Sequence, residues 1–121
     1  MVINTLTPNK GWSGTVSETR FKNNGESLNI QLYNLNLIVL NKNENFYQVS
    51  LNSKKINEEK YVKEFGNLLI LPDGSIKGQD ANGLIDGRIT EKNNKKIMEI
   101  YYRSITKSDS MVSYYGELEL T

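Results

Sequence analysis

The sequence contains neither cysteine nor histidine, and these two absences exclude several functional classes. Without Cys the chain cannot form disulfides, a redox thiol pair or a Cys/His zinc site. Without His it cannot carry a Ser-His-Asp triad or a Cys-His nucleophile pair. Sites built from carboxylates, Lys, Tyr or Ser remain open. We predict no metal site and no cofactor, and we assign no catalytic residue.

An excess of charge of either sign is also missing. Lys and Arg number 15 against 14 Asp and Glu, which leaves a net charge of +1. This balance provides no electrostatic footprint for nucleic acid or for an anionic membrane. We therefore expect no nucleic-acid partner.

Long hydrophobic runs are absent as well. The longest apolar run is Leu37-Ile38-Val39-Leu40, far short of the roughly 20 residues that span a bilayer. The first residues, Met-Val-Ile-Asn-Thr-Leu-Thr-Pro, lack the basic and apolar regions of a secretory signal. We expect no membrane span and a cytoplasmic location.

The composition and the strand patterns predict an all-β fold. With 121 residues, 37% hydrophobic and 24% charged, the chain fits a single globular domain over residues 1–121. Alternating apolar residues bounded by Gly, Asn and Asp predict strands at 12–21, 26–40, 45–52, 67–72, 75–80, 84–91, 97–104 and 111–120. Closing the first strand on the last would remove both exposed edges. The prediction is an eight-stranded antiparallel up-and-down meander barrel.

The hairpins of the C-terminal half agree on one buried face, because residues opposite each other in an antiparallel pair point the same way. Two-residue turns are expected at Asp73-Gly74, Asn82-Gly83 and Asn93-Asn94. The expected cross-strand pairs are Leu71 with Ile76, Leu69 with Gly78, Ile76 with Ile89, Gly78 with Gly87, Arg88 with Glu99, Ile100 with Gly116, and Tyr102 with Tyr114. The predicted inward residues are Leu69, Leu71, Ile76, Ile85, Ile89, Met98, Ile100, Tyr102, Tyr114, Leu118 and Leu120.

The N-terminal half is interpreted in the same way. A three-residue turn at 23–25 would set Val16 opposite Leu32. Inward parity then changes before Leu35, which indicates either a β-bulge at 33–34 or a turn that creates a ninth strand. A loop at 42–44 would set Leu37 opposite Val49. Residues 53–66 do not alternate cleanly, so we predict a short helix or a long connection there.

Glycines recur on the predicted inward face, at Gly14, Gly78, Gly87 and Gly116. Inward glycines allow strands to coil sharply at barrel corners, or they leave space that a ligand can fill. The sequence leaves both alternatives open.

A Gly-Trp element, Gly11-Trp12-Ser13-Gly14, opens the first predicted strand. Together with the eight-stranded meander, it resembles the calycin-type barrels: lipocalins, fatty-acid-binding proteins and avidins. The resemblance implies a small apolar or amphipathic ligand in the barrel mouth. It also implies that Trp12 plugs the barrel floor.

The predicted ligand-binding residues are Trp12, Glu18, Arg20, Tyr102 and Tyr114. Glu18 and Arg20 share the face of Trp12, so they could form a buried pair that orients the polar end of a ligand. The alternative is that both side chains reach the rim and are solvated. Tyr102 and Tyr114 point inward and bring hydroxyl groups to the same space.

The predicted partner-binding residues lie on the opposite face of the last hairpin, where Tyr101 and Tyr115 point outward beside Arg103. Exposed Tyr and Arg are enriched at protein interfaces. Simple cross-strand stabilisation is the alternative for the Tyr pair. The segment Asp80–Asp86 partly resembles a calcium-binding loop, but a hairpin turn explains its Asn-Gly dipeptide.

The leading hypothesis is a non-enzymatic module that binds a small molecule. One alternative is an accessory or inhibitory protein that docks a protein partner on its outer sheet. A second is a lyase or isomerase in a lipocalin-like barrel, with Glu18, Arg20 and tyrosines at its site. An open interior would favour the first hypothesis, and a packed interior would favour the docking protein.

Overall fold

The computed structural model describes residues 5–22, 27–105 and 110–121. Its strands are β1 (Gly11–Lys22), β2 (Ser27–Asn43), β3 (Phe46–Lys55), β4 (Val62–Ile70), β5 (Ser75–Asp80), β6 (Gly83–Lys92), β7 (Lys95–Ser104) and β8 (Ser110–Leu120). Each strand pairs with the next along the chain, and β1 pairs antiparallel with β8 to close the sheet. The predicted eight-stranded meander barrel is confirmed.

Of the two alternatives predicted for residues 53–66, the structure has no helix in this described segment and has a connection that is limited to residues 56–61. β3 continues to Lys55 and β4 begins at Val62, with Ser53 opposite Val62. Of the charged residues that suggested a helix, Glu58, Glu59 and Lys60 lie in this connection, whereas Lys63 and Glu64 lie on β4. Lys63 points outward, and its Nζ lies 5.4 Å from the centroid of the Phe65 ring. Within the described ranges, no helix has the length and apolar character needed to cross a bilayer.

The β4–β5 hairpin has a longer loop than the sequence suggested. The Leu71 amide donates to the Ser75 carbonyl at 2.9 Å, so the loop contains three residues, with Gly74 at a φ of 86°. Asp73 Oδ1 accepts from the Ser75 amide at 2.9 Å and from its hydroxyl at 2.6 Å. These bonds stabilise the three-residue loop, because a side chain that caps the turn satisfies its backbone donors.

This loop shifts β4 by one residue, so the prediction that Leu69 and Leu71 point inward is wrong. Ile70 lies opposite Ile76, and Leu68 lies opposite Gly78. Leu68 has an exposed fraction of 0%. A one-residue slip moves a whole strand face because side chains alternate with a period of two.

The remaining hairpins of the C-terminal half keep the predicted face. Arg88 lies opposite Glu99, Ile100 opposite Gly116 and Tyr102 opposite Tyr114, as predicted. The β5–β6 turn is Ala81-Asn82 instead of Asn82-Gly83, so Gly78 pairs with Ile85 and Ile76 with Gly87. This two-residue slip changes the partners and leaves the same side chains inside.

The N-terminal half needs neither a bulge at 33–34 nor a ninth strand. β2 is continuous, and Leu32 lies outward opposite Ser17 with 44% of its surface exposed. The expected pairing of Val16 with Leu32 is therefore wrong, and Val16 lies opposite Tyr33. The predicted turn at 23–25 lies outside the described residues. In the next hairpin, Leu37 pairs with Leu51 instead of Val49 and stays inward.

The inward glycines allow close approach of neighbouring strands. A Cβ atom on Gly87 would lie 2.3 Å from the Glu99 carbonyl oxygen, and one on Gly14 would lie 2.2 Å from that of Glu117. Both distances are far inside van der Waals contact with backbone. Of the two alternatives left open by the sequence, sharp coiling is the one that the structure supports.

The densest part of the core lies at one end of the barrel, which we call the floor. Trp12 is 3% exposed and lies opposite Leu37 and Leu120. Leu6, from the segment before β1, is also buried in the core. The Asn9 amide donates to the Val39 carbonyl at 2.7 Å and extends the pairing beyond β1. The opposite end, where β1 ends and β2 begins, is the mouth.

Candidate functional site

A cavity of about 450 Å³ opens at the mouth. Its apolar lining consists of Val16, Leu35, Leu51, Val62, Ile85 and Ile100. Its polar lining consists of Tyr33, Ser53, Glu64, Asp80, Asn82, Tyr102, Ser104 and Tyr114. Two clusters of hydrogen-bonded carboxyl and phenol groups, one on each side, determine its chemistry.

The first cluster is centred on Glu18, which the alternation of β1 directs inward two residues beyond Val16. Only 5% of Glu18 is exposed. The Tyr33 hydroxyl donates to Glu18 Oε2 at 3.2 Å, and the Tyr114 hydroxyl also hydrogen bonds to this carboxylate. Arg20 Nη2 lies 4.0 Å from Glu18 Oε1. These partners compensate the burial of a charge that would otherwise be costly.

The sequence left two alternatives for Glu18 and Arg20, a buried pair or two solvated side chains. Burial applies to Glu18, and solvation applies to Arg20. The Glu18 side chain is 6% exposed, whereas that of Arg20 is 37% exposed. Glu18 is thus the buried polar group, and Arg20 reaches from it toward solvent. Their juxtaposition on one face was predicted correctly, and their role in ligand binding stays a prediction.

The phenols of the mouth hold their protons strongly. Burial, followed by the charge of Glu18 and the hydrogen bond to it, raises the pKa of Tyr33 to about 12. Burial also raises the pKa of Tyr114, which shares the same carboxylate. Burial and the hydrogen bond to Asp80 raise the pKa of Tyr102. All three hydroxyls therefore act as hydrogen-bond donors at neutral pH.

The second cluster is centred on Asp80 at the end of β5. Asp80 Oδ1 accepts from the Tyr102 hydroxyl at 2.7 Å and from the Asn82 amide at 2.8 Å. Gly83 makes room for this arrangement, because a Cβ there would lie 2.4 Å from Tyr102 Cζ. The β5–β6 turn and the Tyr102 ring thus hold the Asp80 carboxylate in place.

Glu64, from β4, meets Asp80 at the cavity wall. The Asn82 side-chain amide donates to Glu64 Oε1 at 3.2 Å. The hydrogen bond with Asp80 is the main reason that the pKa of Glu64 is raised, followed by burial and by repulsion from the Asp80 charge. Asp80 Oδ2 is buried and has no other donor among the described residues.

Aromatic contacts join the two clusters. The Tyr114 ring packs edge-on against Tyr33 with centroids 5.8 Å apart, and against Tyr102 at 5.5 Å. Edge-to-face geometry at these separations is favourable for aromatic rings. The mouth therefore carries a continuous row of three tyrosines between Glu18 and Asp80.

The predicted partner-binding residues lie outside the barrel, away from this cavity. Tyr101 and Tyr115 face each other across β7 and β8 with ring centroids 5.4 Å apart, and they are 53% and 42% exposed. Arg103 is exposed on the same strand face. The outward orientation is confirmed, and binding of a partner there stays a prediction.

Of the five predicted ligand-binding residues, Tyr102 and Tyr114 line the cavity, and Trp12, Glu18 and Arg20 do not. Three ionisable lining residues were not predicted: Tyr33, which fell in the expected bulge, Glu64, which fell in the expected helix or connection, and Asp80, which was weighed only as part of a calcium-type loop. Trp12 belongs to the floor and does not line the cavity. With the correct strand registers of β2 and β4, the alternation of side chains would have predicted that Tyr33 and Glu64 point inward.

Two further observations bear on the identity of the site. Within the described part of the chain, no three carboxylates lie close enough together to hold a metal ion. No family model, no curated protein and no solved structure matches the chain. The barrel is compatible with a calycin-like architecture, and its geometry assigns it to no particular family.

Proposed function

We propose that the protein binds a small amphipathic molecule in the mouth cavity. The observation that carries this proposal is an apolar cavity of about 450 Å³ with a few oriented polar groups. Ligand sites in proteins are typically concavities of roughly 300–1,000 Å³ with this composition. The resemblance to calycin-type barrels leads to the same expectation.

The polarity of the cavity changes along the barrel axis. On β1, apolar Val16 lies one inward position below Glu18, and on β7 Ile100 lies one inward position below Tyr102. Both apolar residues are at most 5% exposed. A ligand would therefore place its apolar part against the deeper wall and its polar part among the tyrosines and carboxylates.

A size-blocking substitution tests the proposal. The probe is N-phenyl-1-naphthylamine, a neutral apolar fluorophore that brightens in a dry environment. Leu35→Trp adds volume to the cavity wall, whereas Leu40→Trp adds the same ring on the outside of the same strand, where Leu40 is 39% exposed. We expect saturable uptake by the wild type and by Leu40→Trp, and at least about a tenfold loss of affinity in Leu35→Trp.

Two results would contradict this proposal. One is the absence of saturable uptake by the folded wild-type protein. The other is equal uptake by the two Trp variants, which would place the probe on the outer surface. Circular dichroism before titration establishes that each variant is folded.

A further inference from the structure

The charged side chains among the described residues that line the cavity are all acidic. Glu64 and Asp80 are its only ionisable groups apart from tyrosines, and no Lys or Arg lies among the described residues that form its wall. The guanidinium of Arg20 belongs to the first cluster, where it is directed to Glu18. Among the described residues that line the cavity, the Glu64–Asp80 pair therefore has no basic partner.

This carboxyl pair is electrostatically unfavourable as it stands. The pKa of Glu64 is raised by its hydrogen bond with Asp80, then by burial and by repulsion from the Asp80 charge. Asp80 Oδ2 is removed from solvent without an N–H donor. Two carboxyl groups that share a site disfavour the doubly ionised state. A positively charged donor would relieve the repulsion and supply the missing hydrogen bond.

The tyrosines next to the pair also favour a cation. The Tyr102 hydroxyl is bonded to Asp80, so its ring stands directly beside the carboxyl pair, and the Tyr114 ring packs against it at 5.5 Å. Aromatic faces attract ammonium groups, and the attraction is stronger where water is excluded. An ammonium group bound to these carboxylates would lie close to the two rings.

We propose that the ligand is an organic amine whose ammonium group binds between Glu64, Asp80 and Tyr102, with its apolar part against Ile85 and Ile100. This inference rests on the proposed function, because it names the chemical class of the molecule bound in that cavity. It goes further by assigning the head group. The matching shape is a short alkyl or aryl chain that ends in an ammonium group.

Three eight-carbon compounds that differ in head-group charge test the inference. Octylammonium, octan-1-ol and octanoate are titrated at neutral pH into the wild-type protein loaded with N-phenyl-1-naphthylamine. We expect octylammonium to displace the fluorophore at a concentration at least about tenfold lower than octan-1-ol, and octanoate to be the weakest. Equal or better displacement by octan-1-ol or octanoate would overturn the amine assignment.

A matched pair of variants tests whether the preference for octylammonium arises at the Glu64–Asp80 pair. Glu64→Gln removes one carboxylate and keeps an amide that can still donate to Asp80, while Glu91→Gln removes an exposed carboxylate near the floor. We expect the preference for octylammonium over octan-1-ol to fall to within about threefold in Glu64→Gln and to persist in Glu91→Gln. An unchanged preference in Glu64→Gln would overturn the assignment to this pair.

The outcomes separate this inference from the proposed function. If the neutral fluorophore binds in the cavity and octylammonium shows no advantage, the amine assignment fails and the cavity remains a binding site. If no compound and no fluorophore binds, the proposed function fails, and the amine assignment fails with it. The comparison of head groups on the wild type stands even if Glu64→Gln does not fold.

Discussion

The floor and the mouth of the barrel are built from the same eight strands and differ in what the strands direct inward. At the floor, Trp12, Leu37 and Leu118 are at most 3% exposed. At the mouth, Glu18, Tyr102 and Asp80 occupy the equivalent inward positions. Apolar side chains can interdigitate without leaving gaps. Polar side chains must instead be oriented toward their hydrogen-bond partners.

The connections differ in the same sense. Floor hairpins are tight: Glu44-Asn45 and Asn93-Asn94 are two-residue turns, and Gly74 ends a three-residue loop. At the mouth, Ala81-Asn82 is also a two-residue turn, but β3 and β4 are joined by the longer connection 56–61. Stability and candidate function are therefore separated along the barrel axis. A substitution at the floor should change the free energy of unfolding, and one at the mouth should change binding or titration.

The largest loss in the free energy of unfolding is expected for a substitution at the floor. Trp12→Ala would remove a ring that is 3% exposed and leave a cavity. We expect the free energy of unfolding to fall by about 3–5 kcal/mol. Tyr101→Ala, at an outer position that is 53% exposed, should cost about 1 kcal/mol or less. Equilibrium denaturation by urea measures both, and similar losses in the two variants would refute the distinction between a packed floor and a permissive surface.

A smaller loss is expected where strands approach closely. In Gly87→Ala, the new Cβ would lie 2.3 Å from the Glu99 carbonyl oxygen, so the strands must separate. We expect a loss of about 1–3 kcal/mol in the free energy of unfolding. Because Gly87 does not line the cavity, fluorophore uptake by the folded variant should be retained.

The outward neighbour of Gly87 is a suitable control. Arg88 is half exposed and its Nη2 lies 3.8 Å from Asp73 Oδ2. Removing such a surface ion pair by Arg88→Ala should cost about 0–1 kcal/mol. If Gly87→Ala is as stable as the wild type while its uptake of fluorophore is lost, the glycine belongs to the binding site after all.

The smallest effect is expected at the mouth, at alkaline pH. The pKa of Tyr33 rises from 10.0 to about 12 in the folded chain, so the folded state holds this proton more tightly than the unfolded state does. Its contribution to stability is complete below pH 10.0 and is lost as the pH rises through about 12. We therefore expect Tyr33→Phe to lose less stability than the wild type over this range.

Ultraviolet titration of the phenols and denaturation at several alkaline pH values measure this difference. Glu18→Gln is the companion variant, because it keeps a hydrogen-bond acceptor and removes the charge. Its Tyr33 pKa should fall below that of the wild type, since the Glu18 charge contributes to the rise. An alkaline transition that is unaffected by both substitutions would show that Glu18 and Tyr33 are not coupled.

Strand number and the inward face of most strands could be predicted from local pattern alone. The Asn93-Asn94 turn, with φ values of 52° and 65°, fixes the β6–β7 pairing and with it the opposition of Ile89 and Met98. The inward orientation of Tyr102 and Tyr114 follows from it. These predictions succeed because alternation and turn chemistry are properties of neighbouring residues.

The errors in strand register and in element type arose at two places: the β4–β5 loop and the charged segment 53–66. Leu69 and Leu71 were placed inside because the Asp73 cap that favours a three-residue loop was not recognised. Residues 53–66 were interpreted as a helix or connection because strands seldom carry so many charges. A strand of a barrel can carry them outward, as Lys63 does above Phe65.

The sequence by itself determined an all-β chain without thiol or imidazole chemistry, a meander of strands and the inward face of most of them. Only the tertiary structure decided that Glu64 and Asp80 meet and that Tyr33 and Tyr114 share Glu18. The physical reason is how far apart in the sequence the interacting residues lie. Turn and alternation energies act between near neighbours, whereas the carboxyl pair and the tyrosine row arise from strands that come together only when the barrel closes.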